Sequence, residues 1–182
     1  GSLEVIDLEK GDRVKRVTGL HEPQGVAFVP ATKQVIVACG GDGTVRAFDS
    51  VTLEAMQKVT VGEDADNLRI DADGKTIVVG HSSGALTLLD AVTLRQTGEV
   101  TLSGHPESFQ LEPGTSRIFV NVPDAVVVAD RSTHTVSAVW KLGEQSRNFP
   151  MALDEANTRL YVGCRRPARL LVLDTDSGKT IA

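Results

Sequence analysis

Leu170-Leu171-Val172-Leu173-Asp174, an apolar run closed by a carboxylate, has counterparts along the chain, among them Leu3-Glu4-Val5-Ile6-Asp7 and Thr44 to Asp49. The closing aspartates Asp7, Asp49, Asp90, Asp130 and Asp174 follow at intervals of 42, 41, 40 and 44 residues. A second marker has the same period, since Lys33, Lys75, Arg117 and Arg159 lie 42 apart and each opens another β-rich run. Self-similarity at this period, with only short strands inside each copy, is the signature of a β-propeller. The expectation is therefore an all-β chain of four-stranded antiparallel blades. It forms one domain over residues 1–182, with copies at about 1–20, 21–62, 63–103, 104–143 and 144–182.

Within the first full copy, Gly25 to Val29 reads as strand a, Gln34 to Cys39 as b, Thr44 to Asp49 as c and Glu54 to Val61 as d. Val, Ile, Thr, Leu and Phe dominate these segments, as half-buried pleated strands require. Asp73-Gly74, Gly43, Gly84, Pro30, Pro113 and Pro123 fall between strands, where a left-handed residue or a missing donor is tolerated. Each closing aspartate is followed by polar turn residues such as Val51-Thr52 or Ser132-Thr133, so its carboxylate reads as a cap on the c to d turn. The chain opens on strands c and d and ends on a, b, c and a stub of d, about four and a half blades. A ring closed on these ends would hold strand c twice. The expectation is part of a larger ring, of seven blades, whose open edges invite self-association.

At 41% hydrophobic and 24% charged the composition is that of an ordinary globular chain. The net charge of −5 and the dispersed basic residues argue against nucleic acid as partner. Apolar runs such as Ala125 to Ala129 are too short for a spanning helix. Gly1-Ser2-Leu3 already reads as strand, so these residues are silent on a targeting segment. Cys39 and Cys164 stand near the ends of equivalent strands three copies apart, beyond disulfide reach, and read as two buried thiols.

Pro23-Gln24-Gly25-Val26-Ala27-Phe28, Val35 to Ala38, Gly43 to Asp49, and Arg159-Leu160-Tyr161-Val162-Gly163 followed by Leu171 to Thr175 together resemble the YVTN-type, YncE-like bacterial β-propeller repeats. The resemblance covers essentially the whole chain. It implies a seven-bladed, periplasmic or extracellular protein, in a family usually without an assigned reaction. The third copy departs from the pattern at Phe119-Val120-Asn121-Val122-Pro123. WD40 and kelch repeats match less well, because no Trp-Asp dipeptide closes the strands.

In a propeller the d to a and b to c loops meet on one face around the axis, and that face is where ligands are expected. The d to a segments are the most polar and least alike parts of the repeat. Stacking the copies puts Glu22, Asp64, His105 and Arg147 at one level and Gln24, Asp66, Glu107 and Phe149 two residues deeper. With Asn67 beside Asp66, and Arg165 and Arg166 from the last b to c loop, these residues define the expected site for a small ligand or a protein partner. Three chemistries suit it. The first is non-enzymatic binding in which the arginines take carboxylate or phosphate. The second is a lactonase- or esterase-type hydrolase with Ca²⁺ held by Asp64, Asp66, Asn67 and Glu107 and with His105 as base. The third is a transition metal on His105 with His21 or His81. No cofactor is required by the first. Gly40-Gly41-Asp42-Gly43 joins two strands rather than opening a helix, so it is not a phosphate loop.

Overall fold

The computed structural model describes residues 1–182 and contains seventeen strands and no α-helix. A two-stranded sheet of β1 (Ser2–Ile6) and β2 (Arg13–Thr18) comes first. The first full blade is β3 (Pro23–Val29), β4 (Gln34–Cys39), β5 (Thr44–Asp49) and β6 (Ala55–Thr60). The second is β7 (Leu68–Ile70), β8 (Thr76–His81), β9 (Ala85–Asp90) and β10 (Gln96–Thr101). The third is β11 (Phe109–Leu111), β12 (Arg117–Val122), β13 (Ala125–Asp130) and β14 (Thr135–Lys141). The final blade has β15 (Ser146–Asp154), β16 (Arg159–Arg166) and β17 (Ala168–Asp174), with Thr180 bridging Leu173. All neighbours within a sheet are antiparallel, in sequence order from the inner strand outward.

Strands b and c are apolar nearly throughout because both of their faces are covered. Their side chains alternate between two interfaces, following the two-residue period of a strand. On β8, Ile77 and Val79 pack toward the first full blade, whereas Val78 packs with Leu86 and Leu88 against Phe109, Ile118 and Val120 of the third. On β12 and β13 the residues not used there, Phe119, Val126 and Val128, pack against Leu160, Val162, Leu171 and Leu173 of the final blade. The d strands have no such double cover and are largely exposed. The outward face of the final blade is bare: Leu170 is 64% exposed, whereas its equivalents Val45, Leu86 and Val126 are fully buried.

Inner strands of successive blades touch, β3 against β7 and β11 against β15, and polar side chains stitch them together. Gln24 Nε2 donates to Asp64 Oδ1 at 3.0 Å, Asn67 Nδ2 to the Glu107 carbonyl at 2.7 Å, and Gln110 Nε2 to the Met151 carbonyl at 3.1 Å. Gly25 is required at this hub, because a Cβ there would lie 2.3 Å from the Asp66 carbonyl oxygen.

All five aspartates cap their c to d turns. Each places Oδ1 on two backbone N–H groups of the turn: Glu9 and Lys10, Val51 and Thr52, Val92 and Thr93, Ser132 and Thr133, Asp176 and Ser177. The fourth residue after each aspartate is left-handed: Gly11, Leu53, Leu94, His134 and Gly178. Leu53 and Leu94 tolerate that conformation with buried side chains.

The second repeat marker is out of step with the fold. The carbonyls of Lys33, Lys75, Ser116 and Thr158 are the equivalent positions, accepting from Ser50, Ala91, Arg131 and Thr175. Arg117 and Arg159 therefore stand one residue further along than Lys33 and Lys75. One cause is the b to c link, which shortens from Gly40–Gly43 to Ser82–Gly84 to Pro123-Asp124, while in the final blade Arg165 pairs with Ala168 around the equally short Arg166-Pro167. The last interval lengthens before β15, since Asp130 and Arg147 are 17 residues apart where Asp7 and Glu22, Asp49 and Asp64, and Asp90 and His105 are 15 apart.

Asp130 carries the fullest cap, with Ser132 Oγ and Ser116 Oγ each 2.6 Å from its carboxylate in addition to the backbone donors. The hydrogen bond from Ser116, then those from Ser132 and Thr133, hold its pKa well below the usual carboxylate range, and Asp49, Asp90 and Asp174 are lowered by turn donors in the same way. A depressed folded-state pKa contributes stability that is present above the unfolded value near 3.8 and lost as pH falls through the folded value. Asp130→Ala is expected to cost about 1–2 kcal/mol at neutral pH and to reduce the loss of stability between neutral pH and pH about 3, as read by urea unfolding.

Candidate ligand-binding face

The d to a and b to c loops meet through backbone hydrogen bonds. Gly40 N–H donates to the Glu22 carbonyl at 2.9 Å, Asp64 N–H to Gly40 at 3.2 Å, Ser82 N–H to Glu63 at 2.9 Å and Arg147 N–H to Pro123 at 3.0 Å. Glu22, Asp64 and Arg147, expected at one level, all have left-handed backbones, with φ of 47, 52 and 54°. His105 shares their repeat position but not their conformation, and Pro106 directly after it restricts its backbone. Three unrelated side chains in one uncommon conformation show that the turn shape repeats while its chemistry varies.

The structure assembles part of the expected constellation. Asp66 has a raised pKa, through burial first and the charge of Asp64 second, with His105 opposing. Glu107 is raised by burial too; His105 and Arg165 oppose, while Asp66 and Asp64 add to the rise. Asp64, Asp66, His105 and Glu107 thus share one electrostatic field at the mouth of the hub, and Arg165 reaches it from the final blade. Glu22 and Gln24 lie at its edge, Gln24 bound to Asp64. Asn67 is less available than expected, because its amide is committed to the Glu107 carbonyl. Arg147 lies across from Arg165, since Ser146 pairs with Arg166 and Asn148 with Cys164. Arg165 stacks on Phe149, 4.0 Å from the ring centroid, which orients its guanidinium.

The residues do not fit a metal as placed: no three His, Cys, Asp or Glu side chains converge in a geometry that could hold an ion. His81 is buried, with Nε2 at 3.0 Å from Thr87 Oγ1 and Nδ1 at 2.5 Å from Ser83 Oγ. His21 is exposed. Cys39 and Cys164 are buried and free, and burial raises both thiol pKa values.

Sequence reasoning missed three features. His81 occupies the strand-end position held by Cys39 and Cys164 in other copies, and its serine and threonine partners two and six residues on were the available signal. Asn121 and Asn148 form a fully buried pair, Asn148 Nδ2 donating to Asn121 Oδ1 at 2.9 Å and to the Ala125 carbonyl at 3.0 Å. Asn121 in turn donates to the carbonyls of Phe149 and Pro150, so the departure of the third copy is a stitch between blades. Arg169 pairs across from Cys164 and stands exposed near the loop end of the final blade.

No protein-family model matches the chain. Among curated proteins it is 26% identical over 165 residues to telomerase protein component 1 of Rattus norvegicus; the match covers 89% of this chain and 6% of that protein. Among solved structures it superposes on hydrazine synthase of Kuenenia stuttgartiensis with a TM-score of 0.87 at 16% identity, covering 98% of this chain and 58% of that one. That likeness is one of fold. This chain is a β-propeller module, in which the loop face is defined by architecture rather than by shared chemistry.

Two measurements check the electrostatics. Burial lowers the His81 pKa below its ordinary 6.5, so its contribution to stability is present above that value and is lost as pH falls through it. The drop in unfolding free energy between pH about 7.5 and 5.5 should therefore be smaller in His81→Gln than in the native protein. Asp66 carries the opposite sign, its charged form being disfavoured by folding. Asp66→Asn should raise stability at neutral pH by up to about 1 kcal/mol, a gain that shrinks as pH falls through the raised folded pKa.

Proposed function

We propose that this propeller is an exported binding module whose loop face takes up a small ligand or a segment of another protein near the central channel. The observation that carries the reading is the gathering of Asp64, Asp66, His105 and Glu107 from successive d to a loops into one field, with Asp66 and Glu107 partly desolvated and therefore held against their own titration preference. Desolvated carboxylates gathered beside other charged groups in a loop cluster are candidates for a functional site. Glu22, Gln24, Arg147, Arg165 and Arg166 supply the rim. Export rests on the repeat resemblance alone, and so does a complete ring of seven blades. The calcium-dependent hydrolase draws no support from the geometry, since Asp64, Asp66 and Glu107 do not form a group that could hold an ion, and the Asn67 NH2 is engaged in the hub.

Differential scanning fluorimetry against divalent metals, sugars, nucleotides, acidic peptides and peptidoglycan fragments tests the reading. One class is expected to raise the melting temperature in a concentration-dependent way. The shift should disappear in Asp66→Ala or His105→Ala, with the unliganded melting temperature held or raised. A response to calcium reversed by chelator would favour the hydrolase instead, and no response to any class would remove the binding reading.

A further inference from the structure

We propose that the cleft between the two-stranded sheet and the first full blade binds a small amphipathic carboxylate, at a site that shares no residue with the loop cluster. The cleft has a volume of about 330 Å³. That is the small end of the range in which proteins hold small molecules, roughly 300–1,000 Å³. Val17 and Leu20, on and just after β2, form one wall, and Arg46, Phe48, Met56 and Lys58 of β5 and β6 form the other. Arg46 stands opposite Lys58, and both share with Phe48 the blade face turned to the first sheet, since Val45 and Ala47 pack toward the second full blade.

Two departures from the other blade interfaces leave this cleft open. The first sheet brings two strands instead of three or four, and one interface position changes its chemistry. Opposite the buried valines Val37, Val79, Val120 and Val162 stand Arg46, Thr87, Val127 and Leu171. Thr87 and Val127 are fully buried and Leu171 nearly so, each filling its interface. Arg46 instead turns its guanidinium aside to Asp42, with Nε donating to Thr44 Oγ1 at 3.2 Å. The buried cluster behind it holds four residues, against twelve, twelve and nine at the other interfaces, so the first interface is the one with room for a guest.

The lining calls for a ligand with two unlike ends. Val17, Leu20, Phe48 and Met56 offer an apolar wall, and the unbranched Met56, half-exposed, can adapt to a hydrocarbon body. Asp42 neutralises Arg46 and no carboxylate lines the cleft, so Lys58 gives it a net positive charge. Nε and Nη2 of Arg46 are engaged, which leaves Nη1 to donate beside the Lys58 ammonium. A carboxylate matches these donors, while the body gains from removal of apolar surface from water. A wholly apolar ligand would leave the ammonium without a counter-charge, and a ligand charged at both ends would set its second charge against Phe48 and Met56 with no partner.

Methyl-labelled methionine gives a site-specific readout by NMR, because the chain has two methionines, Met56 in the cleft and Met151 on the final blade. Decanoate at submicellar concentration should shift the Met56 methyl resonance saturably and leave Met151 in place. Decanamide, its neutral isostere, should bind about threefold more weakly at low ionic strength, and Lys58→Gln should remove that preference by weakening decanoate to the same degree. Ala55→Phe, which fills the cleft from an exposed position on β6, should abolish the response, with circular dichroism confirming the fold. Equal binding of decanoate and decanamide by the native protein, undiminished binding by folded Ala55→Phe, or parallel shifts of both methionines would each overturn the assignment. So would movement of the Met56 resonance with protein concentration alone, which would make a second copy the occupant. Asp66→Ala should leave the decanoate titration unchanged, so this site and the loop face stand or fall separately.

Discussion

The apolar contact between the face of one blade and the face of the next is the interaction on which the structure depends. A four-stranded sheet this small cannot bury itself, and each b and c strand distributes alternate residues to two neighbours, as Ile77 and Val78 do on β8. A fully buried Val, Leu or Ile contributes about 1.5–3 kcal/mol, against about 1 kcal/mol for a hydrogen bond and less for an exposed ion pair. With up to twelve buried residues in a cluster, the faces outweigh every polar interaction in the loops. The loops are consequently free to differ in chemistry while the fold holds their shape. Glu22, Asp64 and Arg147 illustrate this directly, sharing a left-handed backbone and nothing else.

Near the axis the logic changes. The inner strands of the second and third blades are short, and they approach their neighbours closely enough that Gly25 has no room for a Cβ. Cohesion there comes from side-chain amides and hydroxyls reaching the backbone of the next blade, through Asn67, Ser108, Gln110 and Asn121. The hub thus draws on the same polar residue types that a binding site would use. Asn67 and Asp66 are adjacent in sequence and similar in size, yet the side chain of one holds two blades together while the carboxylate of the other accepts no hydrogen bond and is desolvated.

That overlap explains what could be read in advance. The period, the strands and the turn caps follow from local rules: an apolar run, a carboxylate and two N–H groups within three residues. The d to a tier was legible because the span from each of its residues to the following a to b turn is constant. The slip of Arg117 and Arg159 was not, because link lengths between strands b and c can change without altering either strand. Nor could the sequence separate Asn67 from Asp66, or show that Asn121 reaches a carbonyl of the next blade, since both depend on approach distances between copies. Arg169 escaped notice because it lies on a strand, and only the Cys164–Arg169 register brings it to the loop end.

The two halves of the loop face differ in a way that a repeat architecture does not impose. Copies of one unit tend to spread charge evenly round a ring, but here the carboxylates of the second and third blades face arginines concentrated on the final one. Opposite charges separated across a rim interact weakly in water, so this arrangement adds little to stability and is not required by the blade contacts. Its physical effect falls on whatever approaches, since a dipolar face orients an approaching partner and rejects one presented in reverse. The blades set the position of the loops, and the uneven charge sets the direction in which that position is read.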